Sequence, residues 1–441
     1  MGRGKHKYRE STKYGYDLGP SRKKIAIETS STTENASDDA GAEESGLRIH
    51  VPKTKYAIAF GYLGSNYHGY QMQCGSNTPV ETIEGRLMDA LVAVGCIHES
   101  HRNLLGKLQL SKASRTDKGV HAACTYVGGR FELSNFSDGE PSLSREEALA
   151  AKLNELLPKD IRCYRVLRVT RGFCARSMCS KRTYEYMIPR SLLTKKYILD
   201  DDFKREKFKE LTEIIESNMA SKEPISVTRQ GTSDGYNASL EEREMDLELL
   251  QEILKDYSGS HDFRNFTPRQ KTAENTTQRF IHEIKVEKRC MSEGAEEVVS
   301  IVITGQSFLY NQIRKMISLA YEVYLGTAPR NSVKFALHKK RSLQTAIAPA
   351  EGLFLHHPYF EAYNKRCNPP QTPMIDFEDI QAMVEDFKIR QIYPTILKSF
   401  DSDIWDIWLS RIARNPFYLE NHGLSVSGEG IYDNDGEGTT L

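Results

Sequence analysis

The sequence predicts an α+β fold, a sheet with helices packed against it. Three observations carry this expectation. "KYAIAFGYLG", "IRCYRVLRVT", "KRTYEYMIP" and "EVVSIVIT" are rich in β-branched and aromatic residues and read as strands. "TIEGRLMDALVAVG" and "SFLYNQIRKMISLAYEVYLG" set apolar residues three and four apart, as amphipathic helices do. Strand-like and helix-like segments interleave in both halves of the chain.

The chain has 441 residues, with 60 Lys and Arg balancing 60 Asp and Glu. Net charge therefore excludes no partner, but the charge distribution is uneven. "MGRGKHKYRESTKYGYDLGPSRKK" is basic and "ETSSTTENASDDAGAEE" is acidic. Neither carries enough large apolar residues to offset chain entropy, so residues 1–50 are expected to form a disordered tail. The basic part fits a nuclear address, an RNA-binding arm or a plain solvated tail. No apolar run approaches a membrane span, and no signal-peptide pattern opens the chain. Eight cysteines are scattered without a C-x-x-C pair. They are expected to be reduced thiols of the cytosol or nucleus, with no structural zinc.

The first strand covers "KYAIAFGYLG", and the polar "SNYHGYQMQCGSNTP" is its loop. The next helix buries a stripe of Ile83, Leu87, Leu91 and Val94. "CTYVGGRFEL" is a strand. Ser144 and Glu147 form a capping box for a helix carrying Leu149, Leu153 and Leu156, which stops before Pro158. Two further strands complete a first lobe over residues 51–190. A second lobe spans 191–364. "KFKELTEIIES" and "DLELLQEILKDY" are its early helices, and residues 219–243 between them read as an exposed insertion. "RFIHEIKVEKR" places Phe280, His282, Ile284 and Val286 on one strand face. "EVVSIVIT" suits a buried central strand. The long helix after it takes Ser307 as N-cap and stops at Gly326, with Leu309, Ile313, Met316, Ile317 and Ala320 inward and Arg314 on its flank. "CNPPQTP" links to a helical extension over 365–419, and 420–441 read as a disordered acidic tail.

The stretch "KASRTDKGVHAA", Lys112–Ala123, sets one carboxylate, Asp117, among Arg115, Lys118 and His121 beside Gly119. Two readings compete. Asp-x-Gly is ordinary turn chemistry, with Asp117 capping the backbone. Alternatively, the loop is an active site with Asp117 as its acid. His261-Asp262 raises a metal-dependent phosphohydrolase as a rival, but no further His and Asp stand at helical spacing to complete a ligand set.

The loop resembles the R-T-D-x-G-V-H-A motif of the TruA-type tRNA pseudouridine synthases. Further blocks follow in that family's order: "GYLGSNYHGYQMQ", "LNELLPKDIR", "FCARSMCSKRTYEY", "GSHDFRNFT", "FLYNQIRKMI" and "APAEGLFLHHPYF". The resemblance spans Tyr56 to Asn364. It is nearest to the eukaryotic multisite enzyme that modifies uridines in and near the anticodon stem-loop. Ser114, the "GSHDF" segment and Tyr310 depart from the family pattern.

The resemblance implies a pseudouridine synthase fold. Two sheet-plus-helix lobes form one continuous mixed or antiparallel sheet around a central RNA-binding cleft. It implies Asp117 as the essential carboxylate, Arg314 as its basic partner and Tyr184 stacked on the uracil. Arg115 would fill the stack left by a flipped base, while Thr116 and His121 shape the loop at the substrate. No cofactor or metal is expected. The partner is tRNA, with messenger or small nuclear RNA as further substrates. A monomer is expected, with a homodimer as alternative. The location is nuclear, with cytoplasm and mitochondria as alternatives. A catalytically inactive RNA-binding relative is the rival reading. "SRKK", "KTKY" and "HKKR" are candidate phosphate contacts.

Overall fold

The computed structural model describes residues 54–73, 80–134, 136, 143–198, 202–217, 225–227, 239–268, 276–290, 297–339, 341–369 and 371–414. Both tails of the sequence reading lie outside these residues. The first strands are β1 (Lys55–Tyr62), β2 (Ser111–Lys112), β3 (His121–Arg130), β4 (Ile161–Val169) and β5 (Lys181–Pro189). Then come β6 (Lys195–Ile198), β7 (Ile225–Val227) and β8 (Ser239–Glu242). The remainder are β9 (Gly259–Asp262), β10 (Gln278–Cys290), β11 (Glu297–Gly305), β12 (Arg341–Leu343) and β13 (Leu353–Tyr359).

Nine of these form one continuous sheet in the order β4-β1-β3-β13-β5-β11-β10-β9, with β2 added on β3. Every pairing in it is antiparallel except that of β3 with β13, where His121 lies opposite Phe354. The β3–β13 pairing brings an early and a late stretch of chain together, and β5 lies beyond it between β13 and β11.

The two faces of the sheet carry different layers. Tyr184, Tyr186 and Ile188 of β5 join the larger core with the helices Ile83–Ala93, Leu247–Lys255 and Gln312–Leu325. Met187 faces the other way, into a second core with Phe387, Ile392 and Ile396 of the C-terminal helices. Strand alternation alone produces this division. The extension docks as expected, and its last helix, Ile404–Arg414, sets Trp408 on Tyr321 with ring centroids 4.9 Å apart.

Local physics decided several details differently from the sequence reading. The box at Ser144 forms, but Leu156 is exposed and Leu157 takes the buried place as the chain turns into Pro158. A bulge between Ile281 and Glu283 shifts the register of β10, so Ile281 and Ile284 point inward while Phe280 is exposed. The long helix begins at Gln312, not at Ser307. Its N-cap, Asn311, adopts a left-handed conformation with φ 59°. The segment read as an insertion, 219–243, contributes two strands. β7 pairs in parallel with β12, and β8 pairs antiparallel with β6. Arg243 stacks its guanidinium 3.8 Å from the centre of the Tyr324 ring. The rest of that segment lies outside the described residues.

Candidate active site

The Asp117 loop leaves the sheet at Ala113 and returns at His121. The Val120 N–H closes it on Asp117 O at 3.2 Å. Gly119 has φ 83°, which favours glycine, and a Cβ there would stand 3.2 Å from that of Ala350. The β1 loop presses close on the other side: a Cβ on Gly64 would lie 2.1 Å from Val120 O. Thr116 is buried and shares a 2.8 Å hydrogen bond with the Tyr62 hydroxyl. The His121 Nδ1 accepts from the Gly64 N–H at 3.0 Å, and burial pushes the imidazole down to about 4. His121 is therefore neutral at physiological pH, its remaining ring proton on Nε2.

Thr116 and His121 thus stand behind the loop. Both were expected at the substrate. Their side chains are buried and engaged with Tyr62 and Gly64, so they fix the loop's shape from within.

Asp117 occupies the front of the turn, partly buried. Burial raises its carboxyl pKa above the ordinary value. The charge of Arg314, the backbone N–H of Asn311 and the charge of Arg115 each pull it back down. Asn311 supplies that N–H from the first turn of the Arg314 helix, where orphan donors and the helix dipole favour an anion. The sequence reading expected Arg314 as the basic partner of Asp117. Its charge does lower the carboxyl pKa, while its Nε donates to Ala348 O at 2.7 Å and, among the described residues, no ion pair joins the two side chains. Arg115 is exposed and donates to Gln71 Oε1 at 3.0 Å.

Tyr184 lies in β5, 8% exposed, its ring edge-on to Phe308 at 5.2 Å. Burial raises its phenol to about 12; hydrogen bonding from Ser114 and the charge of Arg182 oppose the rise, and the Asp117 charge adds to it. Asp117 therefore lies within electrostatic reach of Arg314, Arg115 and Tyr184. It carries an ionisable carboxylate, and Tyr184 carries a phenol that keeps its proton at neutral pH.

Three contributors escaped the sequence reading. Arg182 clamps the root of the loop: Nη2 donates to Ala113 O at 2.8 Å, and Nη1 reaches Gln306 O at 2.8 Å. It stands two residues before Tyr184, within the R-x-Y that the family resemblance picked out only for its tyrosine. Asn311 acts through its main chain, which side-chain chemistry could not reveal. Ala348–Glu351 backs the site, accepting from Arg314 and, at Pro349 O, from the Tyr186 hydroxyl at 3.1 Å. Glu351 borders the loop with a second carboxylate, 3.9 Å from where a Gly119 Cβ would stand.

His261 and Asp262 do not form the turn expected from the sequence: they end strand β9, paired with Arg279 and Gln278 of β10, and their side chains are held within the fold. Asp262 accepts from the Arg264 side chain at 2.8 Å and from Thr277 at 2.6 Å, and His261 bonds Ser258 O at 2.8 Å. Two cations of the candidate phosphate contacts are internal: Lys55 of "KTKY" donates to Phe173 O at 2.9 Å inside the fold, and Arg341 of "HKKR" is 2% exposed. Lys339 of "HKKR" is exposed, and Lys53, Lys340 and "SRKK" lie outside the described residues. Among the described residues no group of three or more His, Cys, Asp or Glu is arranged to hold a metal ion.

A family model described as tRNA pseudouridine synthase matches residues 253–361, a span that includes Arg314. The tRNA pseudouridine synthase 1 of Candida glabrata is 32% identical over 396 residues, covering 80% of this chain and 69% of its own length. The Pseudouridylate synthase 1 homolog of Homo sapiens is 30% identical over 391 residues, covering 87% of this chain and 79% of its own. The tRNA pseudouridine synthase 1 of Saccharomyces cerevisiae is 32% identical over 374 residues, covering 75% and 66% respectively.

Proposed function

The chain belongs to the tRNA pseudouridine synthase family, isomerases that convert uridine to pseudouridine in tRNA, and from that premise we propose how its own residues carry out the reaction. The isomerisation breaks the bond from uracil N1 to ribose C1′, turns the base and rejoins it through C5. One proton leaves C5, and the product has the composition of the substrate. The reaction needs an anionic oxygen at the ribose, and Asp117 supplies it, as nucleophile at C1′ or as base at C2′. Both roles use the ionised carboxylate. Arg314, Arg115 and the Asn311 N–H favour that form against the cost of burial. They also hold a negative oxygen where binding geometry can be converted into rate.

Tyr184 packs against the flipped uracil, its ring edge already held by Phe308. Arg115, exposed at the loop tip, fills the space that the base vacates; unstacking costs a few kcal/mol that such contacts offset. Thr116 and His121 keep the loop in shape. The observation that carries this reading is the convergence on Asp117 of two guanidinium charges and a backbone N–H, beside a protonated tyrosine.

Uridines in and near the anticodon stem-loop are the proposed targets, on the motif resemblance, and the basic opening segment supports a nuclear location. The C-terminal helices, packed over both cores, favour a monomer. The test is release of tritium from tRNA carrying [5-³H]uridine, with mapping of the modified positions. Release by the purified chain supports the reading, and its absence on total tRNA would overturn it. Mapping messenger and small nuclear RNAs in the same way defines the substrate range.

A further inference from the structure

The main chain is fixed on both sides of Gln71, in the loop after β1. The Tyr70 N–H donates to Thr116 O of the Asp117 loop at 3.2 Å, and Tyr70 O accepts from the Glu84 N–H at 2.9 Å. The Met72 N–H donates to Glu84 Oε2 at 3.0 Å. Glu84 is 1% exposed, and its other carboxylate oxygen takes the Lys112 ammonium at the root of the Asp117 loop. One buried carboxylate thus ties the backbone beside Gln71 to the strand that leads towards Arg115. The Asp117 loop is held in turn at Ala113 O by Arg182 and at Thr116 Oγ1 by the Tyr62 hydroxyl.

Two exposed side chains meet on this frame. Arg115 Nη1 donates to Gln71 Oε1 at 3.0 Å. A guanidinium has donors and no acceptor, so the amide must face it with its oxygen. One N–H of five is used, and the flat face of the guanidinium is left for stacking. The amide is neutral. It restrains the direction of Arg115 and leaves the positive charge for RNA.

We propose that Gln71 is a positioning residue for base flipping: it accepts from Arg115 and holds the guanidinium in the direction from which it enters the stack that the uridine vacates. The inference rests on the pseudouridine synthase reading and on Arg115 filling that space. A long side chain restrained before RNA arrives has less rotamer freedom to lose on insertion. The frame matters for the same reason, since Glu84 and Thr116 set where the two side chains start.

The experiment is a double-mutant cycle of Gln71→Met and Arg115→Met with enzyme in excess over tRNA. A tRNA carrying 2-aminopurine beside the modified uridine reports unstacking as a rise in fluorescence. Tritium release from the [5-³H]uridine form of that tRNA reports isomerisation. Both are read at pH 8.5, so that the Arg115 charge, which also acts on Asp117, does not set its ionisation. Methionine keeps the length of Gln71 at an exposed position and removes the acceptor. Gln71→Met should slow unstacking and isomerisation by about two- to tenfold, the worth of one hydrogen bond. It should cost nothing further in the Arg115→Met background. Gln71→Glu restores an acceptor and should restore both rates, while its charge weakens tRNA binding. If Arg115→Met unstacks and turns over at the parent rate, Arg115 does not fill the stack, and that part of the reading fails together with the inference. If Arg115→Met is slow, three results overturn the role of Gln71 and leave that of Arg115 standing. They are a normal Gln71→Met, a cost that persists in full beside Arg115→Met, and a Gln71→Glu as slow as Gln71→Met.

Discussion

Arg314 acts on Asp117 through space. Its Nε is bound to Ala348 O at 2.7 Å, and its charge lowers the carboxyl pKa without an ion pair between the two. Burial is the larger influence, and the net pKa of Asp117 is raised. The reaction uses the ionised carboxylate, so activity should fall as pH drops through that raised value. The acid limb of the kcat profile should lie above the ordinary aspartate range. Arg314→Gln removes a favourable charge and should move the limb further towards neutral pH. An unmoved limb in that variant would show that Arg314 does not govern the charge of Asp117.

The same relationship separates turnover from binding. Many surface charges share the RNA backbone, whereas few groups act on Asp117. Arg314→Ala should slow single-turnover isomerisation by at least an order of magnitude and change tRNA affinity by less than a few fold. Filter binding and saturating-enzyme kinetics on one tRNA measure both. Collapse of affinity with normal turnover at saturation would make Arg314 an RNA contact instead.

Asp117→Asn tests the carboxylate directly. Asparagine keeps the size and serves equally well in a turn. If the charge is the reacting group, tritium release should disappear while the melting temperature and tRNA binding persist. Near-normal release would return the loop to an ordinary turn.

How much of this was legible follows from the kind of signal each feature leaves. Asp117, Tyr184 and Arg314 were legible through the resemblance of their motifs to the family pattern, since by residue type alone the Asp117 loop stayed open between a turn and a site. The strands β1, β4, β5 and β11 were legible from alternation and β-branched composition, because burial on a sheet leaves that imprint. The start of the Arg314 helix was not. Ser307 looks like a cap, but the left-handed Asn311 begins the helix four residues later; asparagine is enriched in that conformation, yet the residue type does not say which asparagine adopts it. The bulge at Ile281 was hidden for the same reason, since one extra residue inverts a face without changing composition. Thr116 and His121 look like site residues by type. Their partners, Tyr62 and Gly64, are more than fifty positions away and show them to be internal struts.

Gly119 should tolerate no side chain. Its φ is 83°, and a Cβ would press on Ala350 at 3.2 Å. Gly119→Ala should cost about 1–3 kcal/mol in stability through backbone strain and displace Asp117. Denaturant unfolding and tritium release should fall together. Unchanged stability and activity would show that the turn relaxes freely.

The segment 219–243, read from sequence as an exposed insertion, supplies a prediction about stability. Replacing it with a Gly/Ser linker would remove β7 and β8 and the Arg243–Tyr324 stack. The melting temperature should fall by several degrees. An unchanged value would show that these strands contribute little.

Buried neutral histidines predict how stability depends on pH. Lys388 can only donate, so at 3.1 Å the His356 Nε2 accepts from it. The His356 proton is then on Nδ1, where it bridges to His357 Nδ1 at 2.7 Å. His121 is neutral by the separate logic of its Gly64 bond. Burial is the main cause that holds both His121 and His357 at about 4. Between pH 6.5 and about 4 the unfolded chain binds protons at these sites and the folded chain does not. Stability should therefore rise with pH across that window, and it is lost as pH falls through it. His121→Asn isolates one share of the effect, because Asn Oδ1 can accept from Gly64 N–H in place of Nδ1 but does not titrate. A shift of that size corresponds to roughly 3 kcal/mol at most. In urea unfolding at pH 4.5 and pH 7, the stability difference should shrink in the variant by up to that amount. An equal difference in both proteins would mean that His121 protonates as readily in the folded state as in the unfolded chain.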